Sequence, residues 1–377
     1  MQNKTSKTEK EELLEKDFPL NGTTIQNSGA IALELDIVEE SLSDQVKVMS
    51  PLQLVLKRFF RSKLSIAGLV MILFLFAFSF LGPLFRHINW LPVYEELERF
   101  STDDILVMPF RRYMEDGITY FYYVTRTQLT YKRLSQPDIY NILGTDHLGH
   151  DIFSRLMYGG RISLGIAFLV IFISTAIGVL MGSIAGYFGK WVDQIIMRLV
   201  DLIMCIPQLP ILLIIGAILD MYTGPPYNIV TPAMRIWLIM LVLTVFGWAG
   251  TARLVRGQIL MLREQDYMLA AESMGLSASR RIFKHLIPNV MPQLIVSMTL
   301  GLGGVILAEA SLSFLGFGVQ EPFAAWGTMI GSLRYFHILT NHFHLWGPPG
   351  FLIMMAVLGF NFIGDGLRDA FDPKMKR

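Results

Sequence analysis

Cysteine is nearly absent from this chain, and charge of either sign is scarce. The one cysteine, Cys205, lies inside an apolar run, so neither a disulfide framework nor a cysteine metal site can form within the chain. Charged residues make up only 17% of the sequence and the formal net charge is +1. This charge balance indicates neither a nucleic-acid partner nor an acidic surface as a partner.

Two sequence signatures of enzymes are also missing. No G-x-x-x-x-G-K-[ST] phosphate loop occurs, so we expect that this chain does not hydrolyse ATP by itself. No nucleophile, base and orienting group form a recognisable set, so we expect a non-catalytic chain without a cofactor of its own. A cleavable signal peptide is not expected, because roughly the first 50 residues are polar and the first apolar run starts too late.

Long apolar runs are abundant. Hydrophobic residues form 53% of the sequence and the mean hydropathy is +0.46, far above a soluble domain. Uncharged stretches that reach or approach the ~20 residues needed to span a bilayer are Leu64–Phe85, Ile162–Gly189, Leu202–Leu219, Ile236–Ala252, Leu286–Ala308 and Leu345–Gly364. The third and fourth are short, and the third contains Pro207 and Pro210. We expect both to span, with kinks satisfied by neighbouring helices.

Lysine and arginine are distributed unevenly among the connections. They concentrate before the first span, after the second and fourth spans and in the C-terminal tail, whereas the short loops on the other side carry only Arg235 and Arg334. The positive-inside rule therefore predicts a multi-pass protein of the cytoplasmic membrane with both termini in the cytoplasm.

Composition divides the chain into five regions. They are a disordered acidic cytoplasmic tail (1–50), an amphipathic segment and first transmembrane helix (51–86), an extracytoplasmic insertion (87–143), the membrane core (144–372) and a cytoplasmic C-terminus (373–377). We expect the basic, amphipathic stretch Pro51–Lys63 to lie along the inner membrane surface. Within the insertion, Gly117–Tyr131 alternates β-branched and aromatic residues, which predicts a strand or hairpin; a floppy insertion is the alternative.

A charged, small-residue-rich stretch separates the fourth and fifth apolar runs. Leu262–Met274 lacks proline and glycine and predicts a helix, which Gly275 would end as a left-handed cap. Ser277 is a plausible N-cap for a second helix, which Pro288 would terminate. Two short helices meeting at a glycine would form a compact knob over Asp266–His285. The plain alternative is an ordinary helix-turn-helix between membrane spans.

The residues of the knob resemble a family signature. Ala270, Ala271, Gly275 and the Ile287–Pro288 pair resemble the EAA signature of bacterial ABC-importer permeases, in which this loop transmits ATP hydrolysis on a partner subunit to the membrane helices. The first Glu of that signature is Leu269 here, for which Asp266 or Glu272 could substitute. The resemblance implies an ATPase-coupling surface made of Asp266, Met268, Leu269, Ala270, Ala271, Glu272, Met274, Gly275, Ser277, Arg280, Arg281 and Pro288. Met268, Leu269 and Met274 would enter a groove, with Arg280 and Arg281 at its rim.

A second motif, GTDHLGHDIFSRLMYGGR, precedes the second span. Asp146, His147, His150 and Asp151 allow a metal-site reading. The block also resembles one found at this position in dipeptide and oligopeptide permeases, where it is a structural element of the outer membrane face, although His150 replaces the usual Arg. We expect Asp151 to pair with Arg155 at i, i+4. The structural set is Gly144, Thr145, Asp146, Gly149, Asp151 and Arg155.

Charged and kinking residues within the apolar runs suggest a translocation path. The set is Arg198, Asp201, Pro207, Pro210 and Glu309. Arg198 and Asp201 form an i, i+3 salt bridge in the modest reading, and the resemblance supports prolines that bend the chain beside the path. Glu309 either binds a substrate amine or snorkels to water. A further loop cluster, His337, His342 and His344, leaves a transition-metal role open.

The resemblance covers about Pro51 to Arg377. It implies an all-α polytopic fold with six transmembrane helices, of the type I ABC-importer class, with a small extracytoplasmic insertion between helices 1 and 2. The implied function is peptide import by alternating access, most like the C subunit of oligopeptide and dipeptide permeases.

The implied partners are a second homologous permease as heterodimer, two ATPases that bind ATP and Mg, and an extracytoplasmic peptide-binding protein. Nickel or glutathione cargo is the nearest alternative. A secondary transporter or channel working alone, or a sensor that recognises a ligand through the insertion, is more distant.

Overall fold

The computed structural model describes residues 50–85, 94–95, 111–115, 118–122, 130–131, 133–139, 141–223, 229–334 and 336–372. The chain divides into two units, Met1–Leu54 and Val55–Arg377. The first is described only at residues 50–54. The predictions for the acidic tail, for the C-terminal residues 373–377 and for most of the 87–143 insertion lie outside the described residues.

Helices account for nearly all of the described chain, which confirms the predicted fold class. They are α1 (Pro51–Phe59), α2 (Lys63–Phe76), α3 (Gly82–Phe85), α4 (Ile152–Phe188), α5 (Lys190–Cys205), α6 (Gln208–Thr223), α7 (Pro232–Arg263), α8 (Asp266–Ser273), α9 (Ala278–Arg280), α10 (Ile287–Phe314), α11 (Trp326–Ile330), α12 (Phe336–Asn341) and α13 (Phe343–Phe371). π-Helical turns join α2 to α3 over Ala77–Leu81 and α9 to α10 over Arg281–Leu286.

Five helical segments of the described chain are long and apolar enough to cross a membrane, and the bent pair α5–α6 adds a sixth span. The kink predicted in the third span, Leu202–Leu219, is confirmed, because the chain bends by 75° between Cys205 and Gln208, and the first arm begins earlier than predicted, at Lys190. Pro207 lacks an N–H and forces Ile206 into an extended conformation (φ −80°, ψ 123°), which ends α5.

The bent pair crosses the whole bundle. Asp193, near the start of α5, pairs with Arg256 close to the knob, whereas Asp220, near the end of α6, pairs with Arg235 at the start of α7. We call the end that carries Asp146, Arg235 and Trp326 the loop end. Because α5 and α6 connect the two ends, they act together as one broken span.

Close helix approach depends on small residues. α4 and α7 run parallel, and Gly182 meets α7 so closely that an added Cβ would lie 2.5 Å from the Ala252 carbonyl oxygen. α2 packs antiparallel on α13 in the same way, since a Cβ on Gly68 would lie 2.8 Å from the Gly359 carbonyl oxygen. Such contacts hold membrane helices together where lipid removes the hydrophobic driving force.

Short strands precede α4. They are β1 (Tyr94–Glu95), β2 (Arg111–Glu115), β3 (Ile118–Tyr122) and β4 (Thr130–Tyr131). β2 and β3 form an antiparallel hairpin, and β1 pairs with β4. The predicted strand or hairpin within Gly117–Tyr131 therefore corresponds to β3 and β4, and β3 pairs with β2, one strand earlier than the sequence indicated.

Candidate functional site

The knob contains two bends where the sequence predicted one. The helix expected over Leu262–Met274 breaks at residues 264–265, and Gln265 adopts an extended conformation before α8 begins. The second bend is at Gly275, whose φ of +72° confirms the predicted left-handed cap. Leu276 N–H donates to the Ala271 carbonyl and Gly275 N–H to that of Glu272, which is the Schellman pattern.

The second arm of the knob continues directly into a membrane span. Ser277 has the extended backbone of an N-cap, but its side chain makes no cap hydrogen bond. Pro288 does not terminate this helix, contrary to prediction, and lies instead in the first turn of α10. A missing proline N–H is tolerated at that position, and the π-helical turn over Arg281–Leu286 precedes it. A displacement of α9 would therefore be passed on to α10.

Part of the predicted coupling surface faces the protein's own core. Met268 is only 2% exposed and packs with Val255 and Ile259 of α7 and with Ile282 and Leu286 of the π-helical turn. Ala271 is buried as well. The prediction that Met268 is free to enter a groove on another subunit is therefore wrong. Met268 attaches the knob to its own bundle.

The opposite face of the knob is exposed and apolar. Leu269 is 55% exposed and Met274 is 74% exposed, and Ala270 lies on the surface beside them. Phe283, which sequence reasoning did not single out, is also exposed, although an aromatic residue directly before Lys284 in a charged loop was a visible signal. Large apolar side chains exposed on one loop indicate a contact surface.

A salt bridge joins the two arms of the knob. The Arg281 guanidinium lies 2.9 Å from the Glu272 carboxylate and stacks over the Tyr187 ring at 5.3 Å. Glu272 thus supplies an ion pair although Leu269 replaces the signature's first Glu. Arg281 was predicted at the rim of a partner groove but is largely buried here, whereas Arg280 is exposed. Asp266 is exposed at the start of α8.

Ion pairs continue from the knob into the bundle. Arg256 donates from Nε and Nη2 to the two carboxylate oxygens of Asp193, and Arg253 lies 2.5 Å from Asp201. The prediction that Asp201 pairs with Arg198 is therefore wrong, because Asp201 pairs with Arg253. Arg253 and Arg256 were missed because each acid lies more than 50 positions away in the sequence, beyond any local spacing rule.

A cavity of about 390 Å³ lies between α4, α6, α7 and α10. Its walls combine small residues with uncharged polar groups, namely Ser174, Thr175, Gln208, Gly247, Gly250, Thr251, Ser297, Gly301 and Gly304, with apolar residues between them. Gln208 lines the cavity between Pro207 and Pro210, so the prolines do bend the chain beside an internal space. Glu309, Arg198 and Asp201 are not among its lining residues.

The GTD motif forms a compact turn at the loop end. Gly144 and Gly149 have positive φ values of 77° and 85°, and Thr145 bridges to Asp151. The Asp146 carboxylate accepts hydrogen bonds from the backbone of Leu148 and His150. Burial raises the pKa of Asp146, but the His150 side chain and the charge of Arg155 outweigh it, so the pKa lies below its ordinary value of 3.8.

Arg155 is the centre of this motif. It lies 3.1 Å from Asp146 and makes a two-pronged contact with Glu321, which is 166 positions away. Asp151, expected to pair with Arg155, instead caps α4 by accepting a hydrogen bond from the Ser154 backbone. The structural reading of the motif therefore rests on Asp146 and Glu321, and Glu321 could not be found from spacing.

Of the remaining polar candidates, Glu309 is buried, His342 and His344 are half-buried and His337 is exposed. Glu309 is 1% exposed and accepts hydrogen bonds from Ser163 and Ser313, so it does not snorkel to water. The His342 ring lies 5.0 Å from the His337 ring in a tilted arrangement and 5.5 Å from the His344 ring edge-on, measured between ring centres. In the described part of the chain, no three His, Cys, Asp or Glu side chains converge as a metal site would require.

Two family models match this sequence. The model described as "Binding-protein-dependent transport system inner membrane component" matches residues 178–377, which include the knob and the cavity-lining parts of α6, α7 and α10. The model described as "N-terminal TM domain of oligopeptide transport permease C" matches residues 50–94.

Individual relatives are similar over most of their length. The dipeptide transport system permease protein DppC of Bacillus subtilis is 35% identical over 85% of both chains. The oligopeptide transport system permease protein OppC of the same organism is 40% identical over 62% of this chain and 72% of its own. The glutathione transport system permease protein GsiD of Pectobacterium atrosepticum is 37% identical over 67% and 80%. The chain therefore belongs to the family of binding-protein-dependent transport system inner membrane components and is a multi-pass permease subunit of an ABC transporter.

Proposed function

We propose that this permease carries peptides into the cell as the C-type subunit of an ABC importer. The similarity to permeases named for dipeptide and oligopeptide transport supports peptide cargo, and the match to the N-terminal domain of oligopeptide permease C supports the subunit type. The cavity suits this cargo, because its uncharged hydrogen-bonding groups can contact a peptide main chain whatever its side chains are.

The knob is the coupling element in this proposal. Its apolar face, formed by Leu269, Met274 and Phe283, enters a groove of an ATPase subunit, while Met268 and Arg281 anchor the knob to its own bundle. Movement of the ATPase is then transmitted through α9 and its π-helical turn to α10, which lines the cavity. The chain supplies a two-state element, and ATP chemistry with Mg occurs on the partner.

The assembly contains five subunits. A second, homologous permease completes the pore as a heterodimer, two ATPases bind on the cytoplasmic side, and an extracytoplasmic binding protein delivers peptide. The knob end and both termini lie in the cytoplasm, which the distribution of Lys and Arg supports. This chain acts without a cofactor of its own and without catalysing a covalent step.

The observation that carries the proposal is the two-faced knob. A transporter that works alone has no need of an apolar surface exposed beside a rigid left-handed bend. Such a surface fits a partner subunit that binds there and transmits its movement. A secondary transporter would take up cargo through the isolated chain with an ion gradient.

Uptake by the reconstituted assembly tests the function. Proteoliposomes containing this chain, its partner permease and both ATPases should accumulate a labelled dipeptide when binding protein is outside and ATP inside. Omission of the ATPases should abolish uptake. Uptake of glutathione and of nickel is measured in parallel. Accumulation of either in preference to dipeptides would overturn the peptide assignment.

A further inference from the structure

The segment Gly318–Trp326 at the loop end is fastened at both of its ends to one carboxylate. At the first end, Val319 N–H donates to Ser313 Oγ at 3.3 Å, and Ser313 Oγ donates to Glu309 Oε1 at 2.7 Å. At the second end, Trp326 N–H donates to Ser163 Oγ at 3.2 Å, and Ser163 Oγ donates to Glu309 Oε2 at 3.1 Å. The five residues are almost completely buried.

The geometry of this relay suits a carboxyl group with two acceptor oxygens. A serine hydroxyl has one proton to donate. Ser163 and Ser313 each donate it to Glu309, and each accepts a hydrogen bond from a backbone N–H of the segment. A side chain with two acceptor oxygens satisfies two such donors at once, as Glu309 does here. A glutamine offers one oxygen and one N–H₂ group, so one of the two arms would be lost.

The middle of the segment holds the cavity helices together. Gly318 carbonyl accepts from Arg235 of α7 at 2.9 Å, Gln320 donates to Asp220 of α6 at 2.8 Å, and Glu321 pairs with Arg155 of α4. With Glu309 on α10, the segment thus joins all four helices that line the cavity. Ala308 faces that cavity, and the adjacent Glu309 holds the segment.

We propose that Glu309 is a positioning residue that holds the 318–326 segment as the closed gate of the cavity at the loop end. This inference rests on the proposed function, because a gate at this end must open to admit cargo. The two arms play different parts. Ser313 lies on α10 with Glu309 and moves with it, whereas Ser163 lies on α4. Separation of α4 from α10 therefore breaks the Ser163–Glu309 bond and disconnects the Trp326 end of the segment from Glu309, while Trp326 stays on α4 through Ser163 and the Leu156 carbonyl.

Accessibility of a buried residue in the segment tests the gate. Ala324 is 1% exposed, so a cysteine placed there, in a Cys205→Ser background, reacts with a membrane-impermeant maleimide only when the segment opens. In the assembled complex, Glu309→Gln should speed this labelling by about tenfold, because one buried hydrogen bond no longer opposes opening. Ser163→Ala should act in the same direction. Ser311→Ala is the matched control, since that exposed hydroxyl bonds only to Leu307 on its own helix.

A second readout separates positioning from simple stability. A gate held by Glu309 predicts that Glu309→Gln raises ATP hydrolysis in the absence of binding protein, while the yield and thermal unfolding of the complex stay near wild type. Unchanged labelling in both Glu309→Gln and Ser163→Ala would overturn the gate, as would faster labelling in Ser311→Ala. If Glu309→Gln does not assemble, Ser163→Ala decides. Failure of the peptide proposal would appear separately, as absent uptake by the wild-type complex.

Discussion

Arg281 and Glu272 join the two arms of the knob across Gly275, with 2.9 Å between guanidinium nitrogen and carboxylate oxygen. Because Arg281 also stacks on Tyr187 of α4, the knob is attached both to itself and to the end of a membrane span. A force applied to the exposed face is therefore passed to the bundle and is not absorbed by a hinge.

Substitution of Arg281 should weaken the attachment of the knob to the bundle. Arg281→Ala removes the salt bridge and a cation–π contact of about 1 kcal/mol, so we expect peptide uptake to fall severalfold while basal ATP hydrolysis persists. Arg280→Ala is the matched control. The Arg280 side chain is exposed, so its removal should affect mainly the salt dependence of ATPase binding. Equal uptake by the two variants would contradict a special role for Arg281.

Gly275 should not tolerate a β-branched residue. Its φ of +72° makes a side chain unfavourable by about 1–2 kcal/mol, although the space around it is open. Gly275→Val should therefore insert normally into the membrane but lose uptake. Gly257→Val, which also meets open space but lies in α7 with no positive φ, is the control and should retain uptake. Normal uptake by Gly275→Val would remove the bend from the mechanism.

The neighbours Met268 and Leu269 should give opposite results. Met268→Ala leaves a gap in the core and should destabilise the isolated permease by about 2–5 kcal/mol. Leu269→Ala touches an exposed side chain, so the unfolding temperature should stay within experimental error while affinity for the ATPase falls. Thermal unfolding and ATPase binding, measured on both variants, check this. A loss of ATPase affinity confined to Met268→Ala would reverse our assignment of the two faces.

The contribution of Asp146 to the stability of the loop end should be insensitive to pH until strongly acidic conditions. Because the folded pKa of Asp146 is depressed below 3.8, its stabilising contribution is complete above that value and is lost only as the pH falls further. The unfolding temperature of the complex should thus show an Asp146-dependent drop only below about pH 4. Asp146→Asn should lower the unfolding temperature at neutral pH and reduce its further fall in acid. If the fall below about pH 4 is the same in Asp146→Asn, another group is responsible for it.

The sequence was sufficient for features that depend on local chemistry. Apolar runs placed the spans, and the glycine after an uninterrupted helical stretch predicted the left-handed cap at Gly275. It was insufficient where tertiary packing decides. Eight residues of α8 between two bends could not reveal that Met268 packs inward and Leu269 outward, and no spacing rule links Asp201 to Arg253 or Arg155 to Glu321. Pro288 was misread because its position in the first turn of α10 depends on the helix that precedes it.

Cysteine crosslinking between the knob and the ATPase tests the central claim most directly. Ser273 and Ser277 are exposed beside the apolar face, and Cys205, the native thiol, can be replaced by serine. In the assembled complex, Ser273→Cys or Ser277→Cys should crosslink to an ATPase subunit and become protected from a soluble thiol reagent. Equal labelling with and without the ATPase subunits, and no crosslink at either position, would show that the knob is not the coupling surface.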